Sequence, residues 1–134
     1  MKNVDRSLLM RKGMPADLGA EFTELSEERV VATLPIDERH LQPLGYLHGG
    51  VSVTLAESVA STGAWLNCEE GKTAFGTEIN ANHIRAKRSG SLTAVGVPVH
   101  RGRTSHVWQI EIKDEEGKLV CVSRCTVAIV DERG

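Results

Sequence analysis

The chain has 134 residues, a formal net charge of −2 at pH 7, and a composition that is 40% apolar and 25% charged. That length holds one real core but falls short of the size at which a second domain is expected, and the composition excludes collagen-like, disordered and disulfide-framework classes. The near-neutral balance excludes a general pull towards nucleic acid or an anionic membrane, so an anionic ligand would have to be held by a local basic cluster.

Residues 1–18 read as a short amphipathic helix or a loosely held arm, ended by Gly13 and Pro15. Glu21 to Leu25 and Arg29 to Leu34 are β-prone runs around Ser26-Glu27-Glu28, with Pro35 closing the second, which predicts a hairpin. Residues 36–47 carry polar groups, Pro43 and Gly45 and read as a loop. From Val51 to Leu66 the pattern changes. There is no proline, and apolar positions 51, 55, 59 and 66 with small residues 56, 60, 63 and 64 recur at helical spacing. Ala56, Ala60, Gly63 and Ala64 make this helix thin on one side, so a sheet could approach it closely.

After Glu69-Glu70-Gly71-Lys72 the chain reads as strand over residues 74–86, 92–100, 105–113 and 119–130. The second and third turns between these strands are short enough for antiparallel hairpins. Trp108, Ile110 and Ile112 alternate with Gln109, Glu111 and Lys113, giving that strand a dry and a wet face. Pro98 cannot donate to a ladder and marks an edge or a bulge. A hairpin, one buried helix and four strands indicate a single α+β domain over residues 1–134, with an antiparallel sheet covering the helix.

The three cysteines, Cys68, Cys121 and Cys125, form no C-x-x-C pair. On one strand Cys121 and Cys125 are roughly 13 Å apart, too far to bond to each other. The first twelve residues lack a signal peptide's apolar core, and no apolar run approaches a membrane span, so a cytoplasmic location is expected.

The chemistry concentrates at Gln42-Pro43-Leu44-Gly45-Tyr46-Leu47-His48-Gly49-Gly50 and the helix that follows. A helix start offers unpaired N–H groups at its positive end, a place for an anion or a developing oxyanion. Glu57 stands among Leu55, Ala56, Val59 and Ala60, and a carboxylate on a buried helix is costly unless it is paired or functional. His48 and Glu57 are nine residues apart, roughly 13 Å along a helix. One reacting atom cannot touch both, so a shared site requires a second copy, which a two-fold dimer supplies while making two equal sites.

The run His48-Gly49-Gly50 with Leu55-Ala56-Glu57-Ser58, preceded by Gln42-Pro43-Leu44-Gly45, resembles the hotdog-fold thioesterases of the phenylacetate-degradation type. It is most similar to their aryl-CoA branch, which includes dihydroxynaphthoyl-CoA hydrolases and proofreading thioesterases of enterobactin synthesis. Glu78-Ile79-Asn80-Ala81-Asn82-His83, Val107 to Ile112 and Ser123-Arg124 extend the likeness over about residues 34–130.

The resemblance implies a hotdog fold, an acyl-CoA substrate with an aromatic or bulky acyl group, and a homotetramer built as a dimer of dimers. It makes Glu57 the nucleophile or general base. The facing subunit would supply Gln42, His48 and the Gly49 N–H, which polarises the thioester carbonyl. Ser61, one turn beyond Glu57, faces the same side and either holds the attacking water or serves only as a small packing residue. For coenzyme A, the resemblance puts Arg85, Arg88 and Ser89, with Arg103, Thr104 and Ser105, near the nucleotide end, and His83 nearer the pantetheine or acyl group. No cofactor is expected, and the five histidines show no metal-ligand spacing. Two other readings stay open: hydrolysis of acyl groups on an acyl carrier protein, and a domain that senses acyl-CoA without cleaving it.

Overall fold

The computed structural model describes Lys2 and residues 6–133. Two short helices, α1 (Arg6–Arg11) and α2 (Met14–Asp17), precede a hairpin of β1 (Glu21–Leu25) and β2 (Val30–Pro35). A 3-10 turn at Glu38–His40 leads to α3 (Gly49–Leu66), and four strands follow: β3 (Lys72–His83), β4 (Ser91–Arg101), β5 (Ser105–Asp114) and β6 (Leu119–Asp131). The strands form one six-stranded antiparallel sheet in the order β1-β2-β4-β5-β6-β3. Helix α3 packs against β2, β3, β4, β5 and β6, which is the expected α+β arrangement. Among the described residues, no helix is long and apolar enough to cross a membrane.

Small residues let the sheet close on the helix. Ala56, Ala60 and Ala64 are fully buried, and so is Trp108, the largest core side chain. A Cβ at Gly63 would stand 2.4 Å from Trp108 Cη2, and one at Gly96 would stand 2.5 Å from Val59 Cγ1. Both glycines are therefore required by contact. His106, Trp108, Ile110 and Ile112 form the dry face of β5, while Glu111 and Lys113 face solvent.

Several details differ from the sequence reading. The helix starts at Gly49 rather than Val51, because His48 caps it and both glycines enter its first turn. Strand β3 ends at His83, although the N–H groups of Ile84 and Arg85 still reach the Val120 carbonyl at 2.7 and 3.3 Å. In the arm, Gly13 (φ 94°) separates two helices, and Pro15 lies in the first turn of α2, where a missing N–H costs nothing. Residues 1 and 3–5 of that arm lie outside the described residues. The loop over 36–47 also contains the 3-10 turn, whose His40 is fully buried.

Pro98 meets both expectations. The β4–β5 register shifts between Pro98 and His100, and β2 pairs with β4 only as far as Gly96, so the proline nitrogen owes no ladder bond. Strand β3 forms one edge of the sheet, pairing only with β6, and its Phe75 is 60% exposed.

Candidate functional site

The loop that delivers His48 is built from inside. Asp37 caps the 3-10 turn by accepting the Arg39 N–H at 2.9 Å. His40 Nδ1 accepts the Asp37 N–H at 2.8 Å, which leaves Nε2 as the donor to the Leu18 carbonyl at 2.7 Å. The His40 carbonyl then accepts the His48 N–H at 2.8 Å, so a buried imidazole anchors the residue that begins the helix. Gln42 Oε1 accepts the Leu44 N–H, and Gly45 (φ 88°) makes the tight turn that returns its N–H to the Gln42 carbonyl.

His48 is the N-cap of α3, with Nδ1 accepting the Gly50 N–H at 2.8 Å. That bond occupies the second glycine's donor. It leaves Nε2 as the proton-bearing nitrogen of the neutral ring, and it leaves the Gly49 N–H as a free first-turn donor. The His83 ring lies against Gly49, where a Cβ would meet its Nε2 at 2.8 Å. Gln42, His48, Gly49, Ser52, His83 and Arg85 line one cleft of about 440 Å³. Ser52 is fully buried, and its Oγ is the one buried side-chain oxygen or nitrogen without a hydrogen bond among the described residues.

Glu57 and Ser61 lie elsewhere on the helix. With Met14, Thr54 and Ser58 they line a second cleft of about 320 Å³. Glu57 is half-buried rather than buried, because Leu55, Ala56, Val59 and Ala60 take the core face and leave Glu57 on the flank. Its side chain runs to β3, and no described residue gives its carboxylate a hydrogen bond or ion pair. The nearby thiol of Cys125 is pushed up to about 12, by burial first and then by the Glu57 and Glu78 carboxylates. From Gly49 to Glu57 the rise is about 12 Å. One chain therefore holds two separate clefts, and the residues that the sequence singles out as catalytic are divided between them.

The basic residues also separate. Arg85 lines the first cleft, and Ser89 is exposed in the turn just beyond it. The Arg88 guanidinium lies 4.1 Å from the Tyr46 ring centroid and donates to the Tyr46 hydroxyl at 2.8 Å. Lys87 is engaged with Glu115 at 2.9 Å and Asp114 at 3.2 Å. Its ammonium is stabilised above the ordinary lysine value, first by the Glu115 hydrogen bond. Asp114 is held below the usual carboxylate range, chiefly by the Lys118 and Glu116 N–H groups and then by Lys87.

Arg103, Thr104 and Ser105 stand at the other end of β4, about 35 Å along the strand. Arg103 borders a cleft with Asn67, Lys72 and His106 at the C-terminus of α3. The Gly102 N–H closes this turn on the Ser105 carbonyl at 2.8 Å, and the Thr104 carbonyl accepts from Ile129. The two basic turns do not meet within one chain.

Sequence reasoning passed over Ser52, Thr54, Met14 and Gly76. Gly76 carried a readable signal, since a glycine inside a β-prone run marks a bulge or a close approach. Ser52 carried none, because its lack of a partner depends on where the helix begins.

A family model described as the thioesterase superfamily matches residues 44–121. A 1,4-dihydroxy-2-naphthoyl-CoA hydrolase of Listeria monocytogenes is 45% identical over 121 residues, covering 90% of this chain and 98% of that protein. A proofreading thioesterase of Cronobacter turicensis is 43% identical over 113 residues, covering 84% of this chain and 82% of its own. The crystal structure of a thioesterase from Haemophilus influenzae superposes with a TM-score of 0.91 at 45% identity, covering 97% of this chain and 93% of that one. With one long helix packed against a six-stranded antiparallel sheet and these likenesses over most of its length, the chain belongs to the thioesterase superfamily and is a hotdog-fold thioester hydrolase.

Proposed function

We propose that this hydrolase acts on acyl-CoA thioesters with aromatic or otherwise bulky acyl groups, and that its minimal active unit is a two-fold dimer within a dimer of dimers. The observation that carries the reading is the division of the site. The Gly49 N–H and His48 Nε2 stand at the start of α3, and the unpartnered Glu57 carboxylate stands about 12 Å further along. Strand β3 supports it, since it is an open twelve-residue edge beside Glu57 and bears the exposed Phe75. A second copy paired there would carry its own helix start towards Glu57.

In that assembly the Gly49 N–H of one subunit polarises the thioester carbonyl, and Gln42 and His48 orient the substrate or water. Glu57 of the other subunit attacks the carbonyl carbon, expelling the CoA thiolate and leaving an anhydride that water hydrolyses. Alternatively Glu57 takes a proton from a water held by Ser61, and that water attacks. Either route consumes one water and yields the free acid and CoA thiol, with no cofactor. Aiming a donor where the oxyanion forms contributes about 10² to 10³ in rate.

An apolar cleft of about 410 Å³ between the arm and α3, lined by Leu8, Leu9, Pro15 and Phe22, joins the Glu57 cleft at Ser58 and Ser61 and would receive the acyl group. Arg85, Arg88 and Ser89 from one subunit would take CoA phosphates. Arg103, Thr104 and Ser105 could share them only from another subunit. His83, beside Gly49, would meet the pantetheine. The three cysteines are free thiols, which fits a reducing cytoplasm.

Thiol release from benzoyl-, hydroxynaphthoyl- and medium-chain acyl-CoA, with wild type and Glu57→Ala, tests the reading. Aromatic substrates should turn over fastest, and the variant should lose on the order of a thousandfold or more. Unchanged turnover in Glu57→Ala would reject the carboxylate's role, and equal rates across the panel would reject the acyl preference. Faster turnover of the same acyl group on a carrier protein would favour that substrate. Binding without turnover of any thioester would indicate a sensing domain.

A further inference from the structure

The geometry points to Gly76 as a positioning residue for the Glu57 carboxylate, an inference that rests on the catalytic role proposed above for Glu57. A Cβ at position 76 would lie 2.6 Å from Glu57 Oε2, 3.1 Å from Cδ and 3.3 Å from Cγ. The outer half of the glutamate side chain therefore lies on bare backbone, at a place that a Cβ could share only if the carboxylate shifted.

Backbone conformation does not require this glycine. The positive-φ glycines are Gly13, Gly19, Gly45, Gly71, Gly90 and Gly117, so position 76 would accept other residues but for what lies on it. A glycine inside a strand weakens it and marks a bulge or a close approach. Here both occur. The β3–β6 register shifts between Gly76 and Glu78, and the intervening Thr77 donates to the Thr126 carbonyl at 3.2 Å. The ladder is irregular just where the carboxylate arrives.

Nothing polar replaces that seat. No hydrogen bond or ion pair among the described residues holds Glu57, so packing against Gly76 on one side and the cleft with Met14, Thr54, Ser58 and Ser61 on the other set its place. The bare edge strand gives the carboxylate a path from the covered helix to the sheet edge where a second subunit would dock. A methyl group at position 76 would push it off that path, and a displacement of about 1 Å can cost about a hundredfold in rate.

The test uses the full-length enzyme with benzoyl-CoA, reading kcat, KM and the denaturation midpoint of Gly76→Ala, Glu57→Asp, their combination, Glu57→Gln and Gly96→Ala. Gly76→Ala should lower kcat about 10- to 100-fold with KM within about threefold. Glu57→Asp withdraws the carboxylate by one methylene, so the double variant should lose far less than the product of the two single losses. Gly96→Ala creates a comparable collision with apolar Val59, and should lower stability while folded enzyme keeps its kcat.

Wild-type kcat in Gly76→Ala, or losses that simply multiply in the double variant, would overturn the role. If Gly76→Ala does not fold, the double variant decides, because its clash is relieved. A kcat equal to that of Glu57→Asp supports the proposal, and a further tenfold fall overturns it. Full activity in Glu57→Gln would instead reject the carboxylate mechanism, and Gly76 would lose its role with it.

Discussion

The two ends of the divided site are opposites. At the start of α3 the groups are donors: the Gly49 N–H, His48 Nε2, and the Arg85 guanidinium at the mouth of an open cleft. Around Glu57 there is one carboxylate without a hydrogen bond or ion pair among the described residues, with hydroxyls and the methionine of the arm. The first region offers donors to a developing negative charge but is lined by no carboxylate. The second holds a carboxylate but is lined by no cation for the charge that would form. Chemical incompleteness on each side, across a distance that a rigid helix cannot shorten, is a physical argument for a shared site that needs no detail of the interface.

Mixing subunits tests the shared site most directly. Alone, Glu57→Ala should be nearly inactive and His48→Ala should keep no more than about a tenth of wild-type turnover. Co-expressed, they should recover up to about a quarter of wild-type turnover, because random pairing makes half the dimers mixed and each mixed dimer holds one intact site. No recovery in mixed dimers confirmed by mass spectrometry would return both halves to one chain.

Next in size is the separation of His48's two duties. His48→Ala should lose about 10- to 100-fold in kcat and about 1 kcal/mol of stability, since the Gly50 N–H loses its cap. His48→Asn restores a cap and should recover the stability, measured by chemical denaturation, but not the rate. Recovery of both would reduce His48 to a structural residue.

A smaller effect concerns the turn behind the donor cleft. Lys87 and two backbone N–H groups hold the Asp114 carboxyl below its unfolded value. Its stabilisation is therefore present above the ordinary carboxylate range, about pH 4, and is lost as pH falls through the lowered folded value. Asp114→Asn should be less stable than wild type at pH 7, with the difference shrinking below about pH 4. A gap that stays constant with pH would assign the effect to packing instead of charge.

Smallest is Ser52→Ala. In the neighbouring turn Ser58 Oγ donates to the Thr54 carbonyl at 2.6 Å, the usual bond one turn back. The residue four before Ser52 is His48, the extended N-cap, whose carbonyl accepts from Val51 instead. Removing an unpaired buried hydroxyl should leave stability unchanged or raise it by up to about 1 kcal/mol. A loss larger than that would show that the hydroxyl has a partner in the assembled protein.

Much of this was legible in the sequence because it depends on local chemistry. The helical spacing of Val51, Leu55 and Val59, the alternation around Trp108, the hairpin turns and Pro98 each reflect a periodicity or a missing donor that neighbouring residues express. The separation of His48 from Glu57 follows from helix rise alone. Misread points arose where distant contacts decide. His40 looks like any loop histidine until Leu18 and Asp37 surround it, and Glu57 looks buried by its neighbours although it sits on the helix flank.

The kinds of element, the glycine turn that begins α3 and the spacing of Glu57 from it follow from the sequence, since each is set within a few residues or by helix geometry. Only the tertiary structure shows that β3 lies at a sheet edge, that His40 is buried beneath the loop, and that Gly76 is left bare for Glu57. Those facts arise from strand order and close packing between segments far apart in the chain, where a missing Cβ matters only because of what comes to rest upon it.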